Sequence, residues 1–288
     1  MINKIGIGTA NFGSIYGVKK KSISAIKAGK IIQILKKNKI KIIDTSSAYL
    51  KSEKTLGDLG VSKFNLTTKI AIPNNFDFSK AKDLEKKFLS SLNKLRVKSV
   101  YALLFQNCAE LLKEEGNSLF NIFLKLKKKK LIKKIGFSVY STRVLNALNK
   151  KFKFDIIQIP LNILDQRFLK KNLLKKLKKK NIEIHSRSSF LQGLLLMDRA
   201  KIPKKFQNFD EALTKLNDFL KDNNLNKLGY LLNFPISIKE VDYVIVGIDS
   251  PEQLSKILSL SKIPKSNLKK LSLKVSTKLI DPRLWKKK

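Results

Sequence analysis

Cysteine is almost absent from this 288-residue chain: Cys108 stands alone, so no disulfide can form within it, and a cytoplasmic setting is expected. Histidine is as scarce. His185 is the only one, which excludes a multi-histidine metal site, and no cysteine cluster replaces it. No stretch reaches the ~18 uncharged apolar residues of a membrane span. The first residues, Met-Ile-Asn-Lys-Ile-Gly-Ile-Gly, lack the apolar core and cleavage site of a signal peptide. No Pro/Gly/Ser linker divides the chain, so residues 1–288 are read as one domain. Oligomeric state is left open, and a monomer is compatible with everything in the sequence.

Acidic residues are also few, 22 against 61 basic ones, giving a net charge of +39. Such a balance can signal nucleic acid or an acidic membrane. Arginine, however, stands only at 96, 143, 167, 187, 199 and 283, so 55 of the basic residues are lysine, spread along the chain. Nucleic-acid readers favour arginine forks and aromatic platforms, and neither is clustered here. The charge is read as a solvated lysine surface that adsorbs polyanions at low salt, with no specific nucleic-acid partner and no membrane.

Short apolar runs alternate with amphipathic stretches from end to end. Strands are predicted at Lys4–Gly8, Ile40–Asp44, Asn65–Lys69, Val100–Phe105, Ile132–Ser138, Asp155–Ile159, Ile182–Ser186 and Tyr243–Gly247. Helices are predicted at Ser22–Lys37, Lys80–Leu95, Leu119–Lys130, Thr142–Lys151, Phe168–Lys180, Asp210–Lys221 and Pro251–Leu260, with a short one near Glu53–Leu59. Nearly continuous apolar strands suit a parallel sheet buried on both faces. Eight βα units in ~250–300 residues indicate a (β/α)8 TIM barrel, whose site lies at the C-terminal strand ends. Alternation alone does not exclude a doubly wound sheet. Met197–Asn208 reads as a loop over the site, and the tail Asp281-Pro-Arg-Leu-Trp-Lys-Lys-Lys either covers the barrel or hangs loose.

Three residues stand where apolar runs stop. Asp44 ends one strand, Lys69 ends the next, and Tyr49 follows Asp44 by five residues. A carboxylate, an ammonium and a phenol there suit proton donation, the ammonium lowering a Tyr pKa from about 10 and the carboxylate fixing the ammonium. The bland reading is a buried ion pair with a Tyr packed beside it for shape.

The arrangement resembles the aldo-keto reductases. The likeness extends through Gly8-Thr-Ala-Asn-Phe-Gly13, Asp44–Glu53, Thr68-Lys69 and Ile135-Gly-Phe-Ser138. It continues in Ile157-Gln158 with Pro160-Leu-Asn162, Ser186-Arg-Ser-Ser-Phe-Leu-Gln-Gly-Leu-Leu195, and Val246-Gly247 with Ser250-Pro-Glu-Gln-Leu254. The resemblance implies reduction of an aldehyde or ketone by NADP(H), with NAD(H) as the other choice. Tyr49 would be the general acid, Lys69 would lower its pKa, and Asp44 would anchor Lys69. The Phe-Leu-Gln-Gly-Leu-Leu segment and the Asp-Pro-Arg-Leu-Trp ending resemble members linked with surface-polysaccharide sugars, which implies a sugar-derived carbonyl. They also imply that the tail covers the barrel.

At one catalytic place the chain departs from the family. Gln106 stands where a His usually orients the carbonyl. An amide can donate a hydrogen bond but cannot relay a proton, so a cofactor-binding protein without turnover is the alternative. The resemblance assigns cofactor contacts to Thr9, Ser138, Gln158, Arg187, Ser188, Gly193, Gly247, Ser250 and Gln253. Val139 replaces the usual Asn after Ser138, and Arg187 stands where many members stack an aromatic ring on the nicotinamide. Ser250-Pro251-Glu252-Gln253 also reads as a capping box, creating a helix N-terminus able to bind phosphate. Gly6-Ile-Gly8-Thr-Ala-Asn11 is only a near miss to Gly-x-Gly-x-x-Gly. His185 is read as a packed or surface residue, and Cys108, two residues beyond Gln106 and near the mouth, as an ordinary small side chain.

Overall fold

The computed structural model describes residues 2–260, 271 and 275–285. Eight parallel strands close in sequence order, because β1 (Ile5–Gly8) pairs with both β2 (Ile42–Asp44) and β8 (Tyr243–Gly247). Between them run β3 (Asn65–Ala71), β4 (Val100–Gln106), β5 (Ile132–Ser138), β6 (Ile156–Pro160) and β7 (Glu183–Arg187). This is the (β/α)8 barrel, and the doubly wound alternative falls with the β1–β8 pairing.

Outside the strands lie α1 (Ala25–Lys37), α2 (Ser52–Asp58), α3 (Ala81–Leu95), α4 (Gly116–Lys128), α5 (Thr142–Lys151) and α6 (Leu173–Lys179). They are followed by α7 (Asp210–Asp222), α8 (Lys227–Ser237), α9 (Pro251–Leu260) and α10 (Thr277–Ile280). Polar caps start several of them: Ser24 accepts from Lys27 N, Ser141 from Val144 N, and Asn226 from Gly229 N.

Apolar residues alternate between two cores. Between β4, β5 and their covering helices, Phe88, Phe105, Phe120, Phe123, Phe137, Phe152 and Phe154 form one aromatic cluster, with Phe105 and Phe123 edge-on at 4.9 Å. Small residues let the barrel interior close. A Cβ on Gly136 would meet the Ile156 carbonyl oxygen at 1.7 Å, and one on Gly6 would meet Ile245 and Ile42 within 3.0 Å.

The structure departs from the sequence reading in three places. The predicted helix 168–180 is broken: a 3-10 segment covers Arg167–Asn172, Lys171 and Asn172 take positive φ (55° and 53°), and only α6 is α-helical. Helix α8 was not foreseen. Tyr230, Leu231, Leu232, Asn233 and Ile236 are all buried, so the sequence shows no polar face to mark it. The expected loop 197–208 contains 3-10 turns at Arg199–Lys201 and Lys204–Phe209.

The tail closes over one end. Trp285 packs edge-on against Phe206 at 4.6 Å and donates from Nε1 to the Leu279 carbonyl. Asp281 accepts two bonds from the Arg283 guanidinium. The terminal lysines 286–288 lie outside the described residues.

Candidate active site

The register of the parallel strands brings Asp44, Lys69, Gln106, Gln158 and Arg187, at or near the C-terminal ends of β2, β3, β4, β6 and β7, to one cavity. There Asp44 is a two-sided clamp. Its Oδ2 accepts from Lys69 Nζ at 2.5 Å, and its Oδ1 accepts from Gln158 Nε2 at 2.7 Å. Lys69 Nζ also donates to the Thr45 carbonyl at 2.9 Å. Asp44, Lys69 and Gln158 are all buried. Burial pulls the Lys69 pKa down, against the opposing charge and hydrogen bond of Asp44. Such a pair costs desolvation and is held by its hydrogen bonds.

Tyr49 lines the same cavity, and the Lys69 ammonium lies 5.5 Å from its ring centroid. At that distance Lys69 Nζ donates to Asp44 and Thr45. Burial lifts the phenol well above 10, Tyr16 and Asp44 add to the rise, and Arg187 opposes it. The phenol is therefore fully protonated at neutral pH, as a proton donor must be.

Gln106 also lines the cavity, at the end of β4. Its Oε1 accepts from Ser46 Oγ at 3.3 Å, which points its amide NH2 elsewhere. Among the described residues no acceptor takes that Nε2. Cys108 does not line the cavity: its thiol donates to the Ser138 carbonyl at 3.8 Å, and burial pushes it up to about 12.

Of the residues expected around a cofactor, Thr9, Gln158, Arg187, Ser188, Gly193, Gly247 and Gln253 line this cavity, whereas Ser138 and Ser250 do not. The Thr9 hydroxyl is already bound to the Asp44 carbonyl at 3.0 Å and to Ser52 at 2.9 Å. At Gly193 and Gly247 an added Cβ would meet nothing within 4 Å, so bare backbone keeps the rim open. Ser250 Oγ accepts from Gln253 N, and Gln253 Oε1 accepts from Asp249 N at 2.5 Å. Half of the foreseen capping box is thus formed: Ser250 caps Gln253 N, but the return bond from Gln253 goes to Asp249 N, one residue before the cap. Gln158 Oε1 and Ser189 Oγ are different: both are buried without a partner among the described residues. Buried acceptors are ordinarily satisfied, so an orphan amide oxygen at a cavity wall fits a ligand amide such as a carboxamide.

Several lining residues escaped the sequence reading. Tyr16 and Lys21 come from a tight turn whose backbones exchange hydrogen bonds of 2.9 and 3.1 Å, and Val18 N bonds the Gln192 carbonyl across the mouth. Lys21 Nζ stands 3.9 Å from Asp249, and Asn11 donates to the same carboxylate at 3.3 Å. Tyr140 lies at the end of β5 with Arg187 on its ring at 3.9 Å. Gly13 and Gly17, both at positive φ, were the available signal for the turn.

The Aldo/keto reductase family model matches residues 4–272, nearly the whole chain. Among solved structures, an aldo-keto reductase from Bacillus halodurans in its holo form is similar, with a TM-score of 0.70 and 18% identity over 98% of this chain and 92% of that one. The glycerol dehydrogenase of Gluconobacter oxydans is similar too, with a TM-score of 0.69 and 19% identity over 89% and 86%. A search of curated proteins finds no significant match.

Proposed function

The chain belongs to the aldo/keto reductase family, NAD(P)H-dependent oxidoreductases acting on carbonyl compounds, and on that premise we propose that it reduces a small hydroxylated aldehyde or ketone with Tyr49 as general acid. The observation that carries this reading is the orphan Gln158 Oε1, held by the Asp44–Lys69 clamp in the cavity that Tyr49 and Gln106 line. Gln158 and Ser189 would hold the nicotinamide carboxamide. When bound, the cofactor supplies the hydride for the carbonyl carbon. Tyr49 donates the proton to the carbonyl oxygen, and Gln106 Nε2 steadies that oxygen as charge develops. Asp44 and Lys69 keep Tyr49 and Gln158 in register. Tyr16, Tyr49, Tyr140, Gln106 and Gln192 give the cavity a hydroxyl- and amide-rich wall, which supports a sugar-derived carbonyl. We read the whole chain as one such domain.

NADPH is favoured over NADH, though narrowly. The Asp249 carboxylate would repel a 2′-phosphate, while Lys21 beside it and the start of α9 attract one. Asp249→Asn is expected to shift the ratio of dissociation constants toward NADPH at fixed salt. An unchanged ratio would place Asp249 away from the 2′ position.

The test of the function is a fluorescence titration with reduced cofactor, followed by a carbonyl panel read from cofactor absorbance. Binding with turnover supports the proposal. Binding without turnover would mean that Gln106 cannot replace the family His, and absence of binding would remove the cofactor reading.

A further inference from the structure

We propose that Arg187 makes this site favour the reduced over the oxidised nicotinamide, through a positive charge that no neighbouring carboxylate neutralises. The inference rests on the nicotinamide reading above. Arg187 ends β7 and lines the cavity, half-buried. Three contacts hold its guanidinium still: NH2 donates to the Val139 carbonyl at 3.2 Å, NH1 donates to Ser188 Oγ at 3.3 Å, and Cζ lies 3.9 Å from the Tyr140 ring centroid. Arg283 also lies 3.9 Å from that centroid. Two guanidinium carbons so close to one centroid must take opposite faces, so Tyr140 is sandwiched.

The two cations differ in their counter-charges. Arg283 is bound twice by Asp281. Arg187 forms no ion pair among the described residues. The two carboxylates that line the cavity are taken as well, since Asp44 holds Lys69 and Asp249 faces Lys21. The Arg187 charge is nonetheless felt across the cavity, where it opposes the upward shift of both Tyr16 and Tyr49.

Gln158 and Arg187 stand on neighbouring strands, with Gln158 in register with His185 and Pro160 with Arg187. A ring whose carboxamide meets Gln158 Oε1 therefore lies within the guanidinium field. The reduced ring is neutral. The oxidised ring, which would remain once its hydride had gone to the carbonyl carbon and the Tyr49 proton to oxygen, would carry one positive charge beside Arg187. The phosphates carry the same charge in both forms, so only the ring term separates them. Like-charge repulsion in a partly buried site then weakens binding of the oxidised form relative to the reduced one.

The experiment measures dissociation constants for NADPH, NADP+, NADH and NAD+ by calorimetry at fixed salt, in the wild type, Arg187→Gln and Arg187→Lys. The wild type is expected to bind the reduced forms more tightly, and Arg187→Gln to shrink the oxidised-to-reduced ratio by ~10-fold or more. Arg187→Lys keeps the charge and should keep most of the ratio. A merely structural Arg187 would weaken both forms equally in Arg187→Gln and leave the ratio unchanged, which would overturn the proposal. Failure of the wild type to bind either form would remove the nicotinamide reading and this inference together, whereas tight binding with an unchanged ratio removes the inference alone.

Discussion

At the C-terminal ends of the strands, Asp44 holds Lys69 beside Tyr49; at the N-terminal ends, Glu183 holds Lys134 beside Tyr101. The ingredients are the same and the connections are not. Tyr101 donates its hydroxyl to Glu183 Oε2 at 2.7 Å, Lys134 bonds the same oxygen, and His185 Nε2 meets Oε1 at 2.6 Å. Tyr101, Lys134 and His185 Nε2 all bond Glu183, and the one orphan of the cluster, His185 Nδ1, belongs to a residue that does not line the cavity. Burial would raise that carboxyl, but the bonds from His185, Lys134 and Tyr101 outweigh it and hold it at about 2. None of these four residues lines the cavity. Around Asp44 the same chemistry leaves ends open toward the cavity: Gln158 Oε1 has no donor among the described residues, and Tyr49 lines the cavity beside it. A buried carboxylate, ammonium and phenol are therefore not a site in themselves. Unused valences facing a cavity distinguish the end that can act from the end that only holds.

The largest effect is expected where the clamp is broken. Lys69→Met leaves Asp44 as a buried charge without its counter-ion, which typically costs ~3–5 kcal/mol; denaturant unfolding would read it. Lys134→Met should cost less, because Glu183 keeps Tyr101 and His185. Equal losses would dissolve the distinction between the ends.

Gln106 gives the next largest effect. Gln106→Ala is expected to lower kcat by ~10–1,000-fold, as loss of one transition-state donor does. Gln106→His should keep or raise it. If both variants turned over like the wild type, Gln106 would lie outside the reacting centre.

The N-terminal cluster should show itself through pH. With its folded pKa near 2, below the ordinary 4.5, Glu183 contributes stability that is fully present above about pH 4.5 and lost as pH falls toward 2. A series of Tm values across that window should fall less steeply in Glu183→Gln. An identical slope would show that Glu183 is not the group responsible.

The exit of β2 was legible because an apolar run that stops on Asp44 marks both a buried strand and its end, whereas β3 runs two residues past Lys69. Barrel closure was less so, since only the β1–β8 pairing separates it from an open sheet. Gln106 was found by its place after Leu104-Phe105, and the structure puts it on the cavity wall. Spacing brings Lys69 near Tyr49, but only coordinates reveal its bonds to Asp44 and Thr45. Ser138 and Ser250 were assigned by motif, yet neither reaches the cavity. Tyr16, Tyr140 and Arg283 come from a turn, a strand exit and the tail, places where neither period nor propensity tells which way a side chain points. Helix α8 escaped because a helix buried nearly all round has no amphipathic signature.

Two substitutions that each delete one phenolic oxygen test the central contrast most directly. Turnover and Tm are to be measured side by side for Tyr49→Phe and Tyr101→Phe. Tyr49→Phe should lower kcat by ~10²–10⁴-fold, with cofactor affinity and Tm nearly unchanged. Tyr101→Phe should lower stability by ~1.5–3 kcal/mol, the range for a hydrogen bond to a charged group, and leave kcat intact. Near wild-type turnover in Tyr49→Phe, or a comparable loss of turnover in Tyr101→Phe, would contradict the assignment of the chemistry to the C-terminal end.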